Sequence, residues 1–152
     1  MRVSAAFLVG ILGLAISGCV QTEPPKSLPS VVDGVDEIHV VANVGCTAPT
    51  LGTGYLCNSI TDGARIERIV AFVNARPNRW IMPWAGAPIH PIRIEFRKDG
   101  RHQETFGISA SSFERATFFS QHATRAEVDE ALDLVGLERS NLRFDPEDQI
   151  PE

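Results

Sequence analysis

Four histidines are the side chains of this chain best suited to acid–base or metal chemistry, and they lie far apart, at His39, His90, His102 and His122. No two of them have the short spacing of a metal site, and the sequence contains no HExxH run. It also lacks a GxSxG elbow, a phosphate-binding glycine loop and a dinucleotide fingerprint. The sequence therefore predicts neither a metal nor another cofactor, and it favours a protein that is not an enzyme.

One enzymatic hypothesis remains, because catalytic groups are often scattered along a sequence. In this hypothesis His90, His102 and Glu104 come together in one cleft and form an imidazole–carboxylate site. The alternative is that each histidine is a surface or hydrogen-bonded side chain without a catalytic role. A structure decides between the two by showing whether the three side chains meet.

The segment from Pro77 to Pro91 has the most unusual composition, with four prolines and both tryptophans, Trp80 and Trp84. A long irregular segment inside a compact domain is often either functional or closely packed. The two indoles could form a platform for a sugar ring or an apolar chain, with three polar neighbours: Arg76, Arg79 and His90. Alternatively both indoles pack into the core, which the large burial energy of aromatic side chains favours.

The N-terminal segment carries an export pattern. Arg2 is followed by an uncharged apolar run from Val3 to Ile16, which is short for a membrane span, since a helix needs about 20 apolar residues to cross a bilayer. A charged start, a short apolar centre and a small-residue end are typical of a secretory signal. The last four residues, Ile16-Ser17-Gly18-Cys19, resemble the lipobox of bacterial lipoproteins.

This resemblance implies that residues 1–18 are a removable signal peptide and that the sulfur of Cys19 receives a diacylglycerol. The new N-terminus is usually acylated as well in that family. One acyl chain holds a protein at a membrane only reversibly, whereas two or three anchor it stably. In a Gram-negative cell, Val20 rather than aspartate after that cysteine implies the outer membrane, facing the periplasm.

With Cys19 lipidated, Cys46 and Cys57 are the remaining cysteines. An even pair in an oxidising compartment predicts a disulfide, which would stabilise the fold by up to ~3 kcal/mol. A metal pair and a reactive thiol are the alternatives. The sequence offers no nearby histidine or third cysteine for a metal, so the disulfide is favoured.

The rest of the chain predicts one α+β domain over residues 36–144, preceded by a proline-rich tether over 19–35 and followed by an acidic flexible tail over 145–152. Apolar stripes predict two helices, the first capped near Asp62 and the second between a Thr124–Glu127 capping box and Gly136. Strand patterns predict an antiparallel sheet of about 3–5 strands that these two helices cover.

The alternation of apolar and charged residues predicts a strand beginning at Ile92. A turn over Lys98-Asp99-Gly100 would form a hairpin that sets Ile92 opposite Phe106 and Ile94 opposite Glu104. In this register Glu104 lies on the apolar face of the sheet. A carboxylate suits that position only at an edge open to water.

Charge and anchoring together indicate the class of function. The full chain has a net charge of −5, and removal of the leader with Arg2 leaves the mature chain six charges negative, which argues against binding to nucleic acid. An anchor, a tether and a compact module predict a lipid-anchored binding or accessory protein whose partner is another envelope protein. The alternative is a glycan- or lipid-binding module that uses the Trp80–Trp84 loop.

Overall fold

The computed structural model describes residues 27–31, 33–43, 48–49, 54–82, 90–116 and 119–141. In chain order its elements are strands β1 (Glu37–Ala42), β2 (Ala48–Pro49) and β3 (Tyr55–Ile60), helix α1 (Gly63–Asn74), strands β4 (Ile92–Lys98), β5 (Arg101–Ile108), β6 (Ser112–Arg115) and β7 (Phe119–His122), helix α2 (Arg125–Val135) and a 3₁₀ turn (Arg139–Asn141).

The strands form one open antiparallel sheet in the order β2-β3-β1-β4-β5-β6-β7. Six of them have four or more residues, and the two-residue β2 adds a seventh at one edge. The α+β class and the two helices predicted from the sequence are confirmed, but the expected strand number was too low. Strands β6 and β7 have four residues each, which is too short for the apolar alternation to indicate a strand.

One face of the sheet carries the hydrophobic core. Because side chains alternate across a strand, every second residue of the central strands points to this face. Its buried members are Ile38, Val40, Ile60, Ile92, Ile94, Phe96, Phe106, Ile108 and Phe113. The apolar stripes of α1 and α2 join the same cluster, so both helices lie on this side. The opposite face is mainly polar and half-buried.

Both helices begin as their sequences predict, and α2 also ends as predicted. The carboxylate of Asp62 accepts a hydrogen bond from the backbone N–H of Arg65 at the start of α1. The Thr124–Glu127 capping box is complete, and Gly136 ends α2 with a left-handed φ of 73°. Arg65 Nε also donates to the carbonyl of Leu134, 2.9 Å away. This contact joins the start of α1 to the end of α2.

The β4–β5 hairpin differs from its predicted register. The turn contains only Asp99-Gly100, with φ values of 51° and 71°, and two left-handed residues are typical of a tight two-residue hairpin turn. This turn moves the pairing by one residue, and a register shift between Phe96 and Arg97 moves it by a second, so Ile94 pairs with Phe106 and Phe96 pairs with Glu104. The predicted pairing was wrong by two residues. It still placed Phe106 and Glu104 on the correct face, because a shift of two preserves the alternation.

The chain is packed against the domain before residue 36. The backbone N–H of Leu28 donates to the carbonyl of Pro77 at 2.9 Å. Val31 is buried, and its N–H donates to Asn74 Oδ1 at 2.7 Å. The last part of the predicted tether therefore belongs to the domain, since Val31 is buried and hydrogen-bonded to the last residue of α1. The tail over 145–152 lies outside the described residues.

Candidate functional site

The residues predicted for a binding loop do not form one exposed surface. Trp80 is fully buried. Its ring packs edge-on against Phe106, with ring centres 6.4 Å apart, and its Nε1 donates to the carbonyl of Arg76 at 2.6 Å. Trp80 therefore packs into the core and does not form part of an exposed platform. Trp84 lies outside the described residues.

The two arginines of this predicted loop have separate environments. The Arg76 guanidinium lies 3.8 Å from the centre of the Phe72 ring, and Nη2 is 3.3 Å from Glu127 Oε1. Arg76 therefore links α1 to the start of α2. Arg79 is exposed, and its φ of 70° lies in the left-handed region. Arg76 is thus bound within the helix layer, whereas Arg79 faces solvent.

His90 lies on the sheet face away from the helices. A Cβ atom at Gly107 would lie 2.6 Å from His90 Cδ2, and Gly107 stands between two core-facing residues, Phe106 and Ile108, so its open side faces the other way. His90 Nε2 is 2.6 Å from Glu114 Oε2, and the two side chains are 2% and 12% exposed. An imidazole and a carboxyl group thus form a buried pair.

Burial shifts both groups of this pair toward their neutral forms. It lowers the pKa of His90 to about 4 and raises the pKa of Glu114 to about 7. Neither ring nitrogen makes an aligned hydrogen bond with the described residues. A protonated Glu114 can instead donate its O–H to Nε2. A pKa near 7 suits an acid–base group, but an imidazole with 2% exposure is closed to a substrate. We therefore interpret the pair as structural.

A cavity of about 310 Å³ lies on the helix side of the sheet, at the corner where β6 ends. Its lining consists of Leu28, Pro29, His102, Gln103, Glu104, Thr105, Arg115 and Ala116. Two members of the hypothetical catalytic cleft, His102 and Glu104, are present. His90 is absent because it pairs with Glu114 on the other face. The three-residue catalytic cleft therefore does not form.

The cavity contains a buried ion pair that sequence reasoning missed. Arg115 Nε contacts Glu104 Oε1, and Nη2 lies 3.1 Å from Oε2, so the guanidinium grips both carboxylate oxygens. The two side chains are 2% and 16% exposed. The third nitrogen, Arg115 Nη1, is buried and has no hydrogen-bond partner in the described part of the chain. His102 Nε2 lies 2.9 Å from Thr105 Oγ1 beside this pair.

A signal for this ion pair was present in the sequence. Glu104 alternates with Phe106 and Ile108, and Arg115 alternates with Phe113, so both charges fall on apolar faces. Two opposite charges on the apolar faces of neighbouring strands predict a buried pair. That inference required β6 to be identified as a strand beside β5.

The cysteine predictions lie partly outside the described residues. Cys57 is disulfide-bonded, whereas Cys46, its predicted partner, and the lipidation site Cys19 fall in undescribed segments. Among described residues, no group of three or more histidine, cysteine, aspartate or glutamate side chains could hold a metal ion. The described helices include none that is long and apolar enough to cross a membrane.

No protein-family model, curated protein or solved structure matches this chain.

Proposed function

We propose that the protein is a lipid-anchored envelope protein that faces the periplasm. Its α+β domain binds another envelope component and catalyses no reaction. The leader supports the anchor, since a charge, an apolar run, small residues and Cys19 follow in lipobox order. Residues 20–26 then connect the anchor to the packed domain. An anchored protein stays at the membrane surface, which suits a function of binding a neighbouring envelope component.

The cavity beside Arg115 carries the proposal for binding. It combines an apolar wall, Leu28 and Pro29, with polar groups that both donate and accept hydrogen bonds. Such a combination of apolar walls and a few placed polar groups is typical of ligand sites, and about 310 Å³ lies at the small end of their range. The cavity therefore suits one projecting group of a larger envelope molecule.

The two other functions receive less support. A sugar or lipid platform at the Trp80–Trp84 loop would need exposed indoles, and Trp80 is buried. The enzymatic hypothesis placed, for example, His90, His102 and Glu104 in one cleft, and His90 pairs elsewhere. Binding at the cavity is the function for which the described residues supply a space with both apolar and polar lining.

Site-specific crosslinking in envelopes of the source organism tests the proposal. We expect a photo-crosslinking amino acid at the exposed Gln103 to give a defined adduct, and one at the exposed Glu67 on α1 to give none. His102→Trp should block the adduct by filling the rim of the cavity. An adduct of equal yield from Glu67, or none from Gln103, would refute binding at this site.

The anchor is tested in the same cells. Cys19→Ala should leave an unprocessed precursor, because the lipid is attached before the leader is removed in the family that this leader resembles. A soluble, fully processed Cys19→Ala protein would disprove the lipid anchor. It would leave the crosslinking result at Gln103 unaffected.

A further inference from the structure

We propose that the domain rests on the membrane that holds its anchor, and that an exposed apolar pair, Ile81 and Met82, contacts the phospholipid surface with Arg79 at the level of the headgroups. This inference rests on the lipid anchor of the proposed function and assigns the surface of the domain that faces the lipid. It does not depend on what the cavity beside Arg115 binds.

The connection between the domain and the anchor is short. Leu28 is fixed to the domain by its hydrogen bond to the carbonyl of Pro77, and nine residue steps separate it from Cys19. A chain spans at most about 3.6 Å per residue, so Leu28 lies within about 32 Å of the lipidated cysteine. A surface beside Leu28 reaches the lipid with a slack connection, whereas a surface on the far side of the domain needs an extended one.

The segment over residues 77–82 starts at this contact and runs to the edge of the sheet beside β7. Ile81 and Ser120 exchange two backbone hydrogen bonds, of 2.9 and 2.8 Å. Gln121 Nε2 also donates to the carbonyl of Asn78 at 2.8 Å. The segment is therefore held in place before any contact with lipid, so its outward side chains bind with little loss of conformational entropy.

Two large apolar side chains of this segment face solvent. Ile81 is 46% exposed and Met82 is 49% exposed. Exposed apolar groups beside a cation are typical of surfaces that enter the membrane interface, where the apolar groups lose contact with water. Arg79 is exposed two residues before Ile81 and makes no ion pair within the described part of the chain. Its guanidinium suits the phosphate of a lipid headgroup.

The anchor makes a weak contact sufficient. Because the domain and the lipid are joined covalently, their contact is an intramolecular event, and a short flexible link gives an effective concentration in the millimolar range. A contact too weak to hold a free protein at a membrane is therefore populated in the anchored one. Leu28 and Pro29 also line the cavity beside Arg115, so this orientation brings that cavity close to the lipid surface.

Tyr55 supplies a matched comparison within the same domain. It is 42% exposed, which is close to the exposure of Ile81 and Met82. It lies in β3, five strands away from β7 in the sheet. A spacing of about 4.8 Å between strands places Tyr55 about 24 Å from the edge that Ile81 joins. The proposal therefore predicts lipid contact for Met82 and none for Tyr55.

Photo-crosslinking to lipid tests this difference. A photo-crosslinking amino acid replaces Met82 or Tyr55 in the mature lipidated chain, which is held in vesicles of phosphatidylethanolamine and phosphatidylglycerol that contain a radiolabelled phospholipid. We expect at least about fivefold more labelled adduct from position 82 than from position 55, because the tether favours the surface beside Leu28.

Variants show which groups make the contact. With the crosslinking amino acid at position 82, Arg79→Glu should lower the adduct yield several-fold, because a carboxylate is repelled by anionic headgroups. Ile81→Thr keeps the branched shape but loses apolar area, and it should lower the yield as well. Arg68→Glu, on the exposed side of α1, is the matched charge reversal and should leave the yield unchanged. Thermal unfolding shows that each variant is folded.

Two outcomes would overturn the lipid contact: equal adduct yields from the two crosslinking positions, or a yield at position 82 that Arg79→Glu and Ile81→Thr both leave unchanged. A protein–protein adduct in place of the lipid adduct would also overturn it, since it would assign the pair to contact between copies of this chain. Mass spectrometry of the purified chain first shows whether Cys19 carries lipid. An unlipidated chain would disprove the anchor, whereas a lipidated chain without the adduct would reject the contact alone.

Discussion

Glu114 and Arg115 are neighbours in β6, and each forms a buried pair on an opposite face of the sheet. Arg115 faces the helices and grips both oxygens of Glu104. Glu114 faces away from the helices and makes a single 2.6 Å contact with His90. Each pair buries an acid and a base to a similar degree, but the Arg115 pair is ionic whereas burial favours neutral forms in the His90 pair.

The difference follows from the chemistry of the base, a guanidinium in one pair and an imidazole in the other. A guanidinium does not release its proton in proteins, so the Arg115 pair must remain ionic and needs the fork to satisfy the carboxylate. An imidazole can release its proton, and burial pushes both His90 and Glu114 toward neutral forms. The fold therefore uses hydrogen bonding to bury one pair and a change of protonation to bury the other.

The largest effect is expected from removing the guanidinium. Arg115→Met leaves the Glu104 carboxylate beside the core without a counter-charge. Loss of one partner of a buried ion pair costs about 3–5 kcal/mol, and partial exposure of Glu104 (16%) favours the lower end. Urea unfolding measures the change. The double variant Glu104→Leu/Arg115→Met should recover most of the loss; additive losses would show that the two side chains are not coupled.

A smaller effect is expected from crowding the neutral pair. In Gly107→Ala the new Cβ would lie 2.6 Å from Cδ2 and 2.8 Å from Cγ of His90, so the ring must shift from its position beside Glu114. Overpacking of this kind costs about 1–3 kcal/mol. Gly63→Ala is the control, because its Cβ meets nothing within 4 Å. Equal midpoints of thermal unfolding for the two variants would contradict close packing of His90 on Gly107.

In the unaltered protein the smallest effect concerns pH, because the two pKa shifts of the pair oppose each other. The lowered pKa of His90, from 6.5 to about 4, gives stability that is present above pH 6.5 and lost as pH falls toward 4. The raised pKa of Glu114, from 4.5 to about 7, gives stability that is present below pH 4.5 and lost as pH rises through 7. Between pH 4.5 and 6.5, where the two ranges overlap, the folded and unfolded chains hold equal numbers of protons on the pair, so its two slopes of stability against pH cancel.

Single substitutions should expose the two slopes. Glu114→Gln leaves the His90 term, so stability should rise with pH from about 4 to 6.5. His90→Gln leaves the Glu114 term, so stability should fall from about 4.5 to 7. Glu37 and Glu127, whose pKa values are lowered mainly by hydrogen bonds from His39 and Thr124, add the same slope to every protein. Urea midpoints across this range test the prediction, and parallel curves for both variants would reject it.

The sequence was sufficient for the parts of the fold that depend on local chemistry. The caps at Asp62 and Thr124, the end of α2 at Gly136 and the apolar faces of the long strands follow from hydrogen bonding and alternation over a few neighbours. The hairpin register did not follow, because the length of the turn and the register shift between Phe96 and Arg97 each move the pairs beyond them by one residue. Asp99 in a left-handed conformation is what shortened that turn.

The candidate site could not be predicted for a related reason. Arg115 and Glu104 become partners only when β6 lies beside β5, and the four-residue β6 gives no periodic signal. His90 and Glu114 meet because Gly107 leaves room above the sheet, which is a fact of three-dimensional packing. In both pairs the residues were visible in the sequence, but their partners depended on strand order.

The strand order also has a consequence for how the domain acquires its structure. β1 lies between β3 and β4, with Ile38 paired to Ile60 on one side and to Phe96 on the other. The second neighbour comes only after α1 and the proline-rich segment, so closing that contact has a larger entropic cost. The two-residue turn lets β4 and β5 associate early. We expect β1 to dock late onto that preformed hairpin, which makes the middle of the finished sheet one of its last parts to assemble.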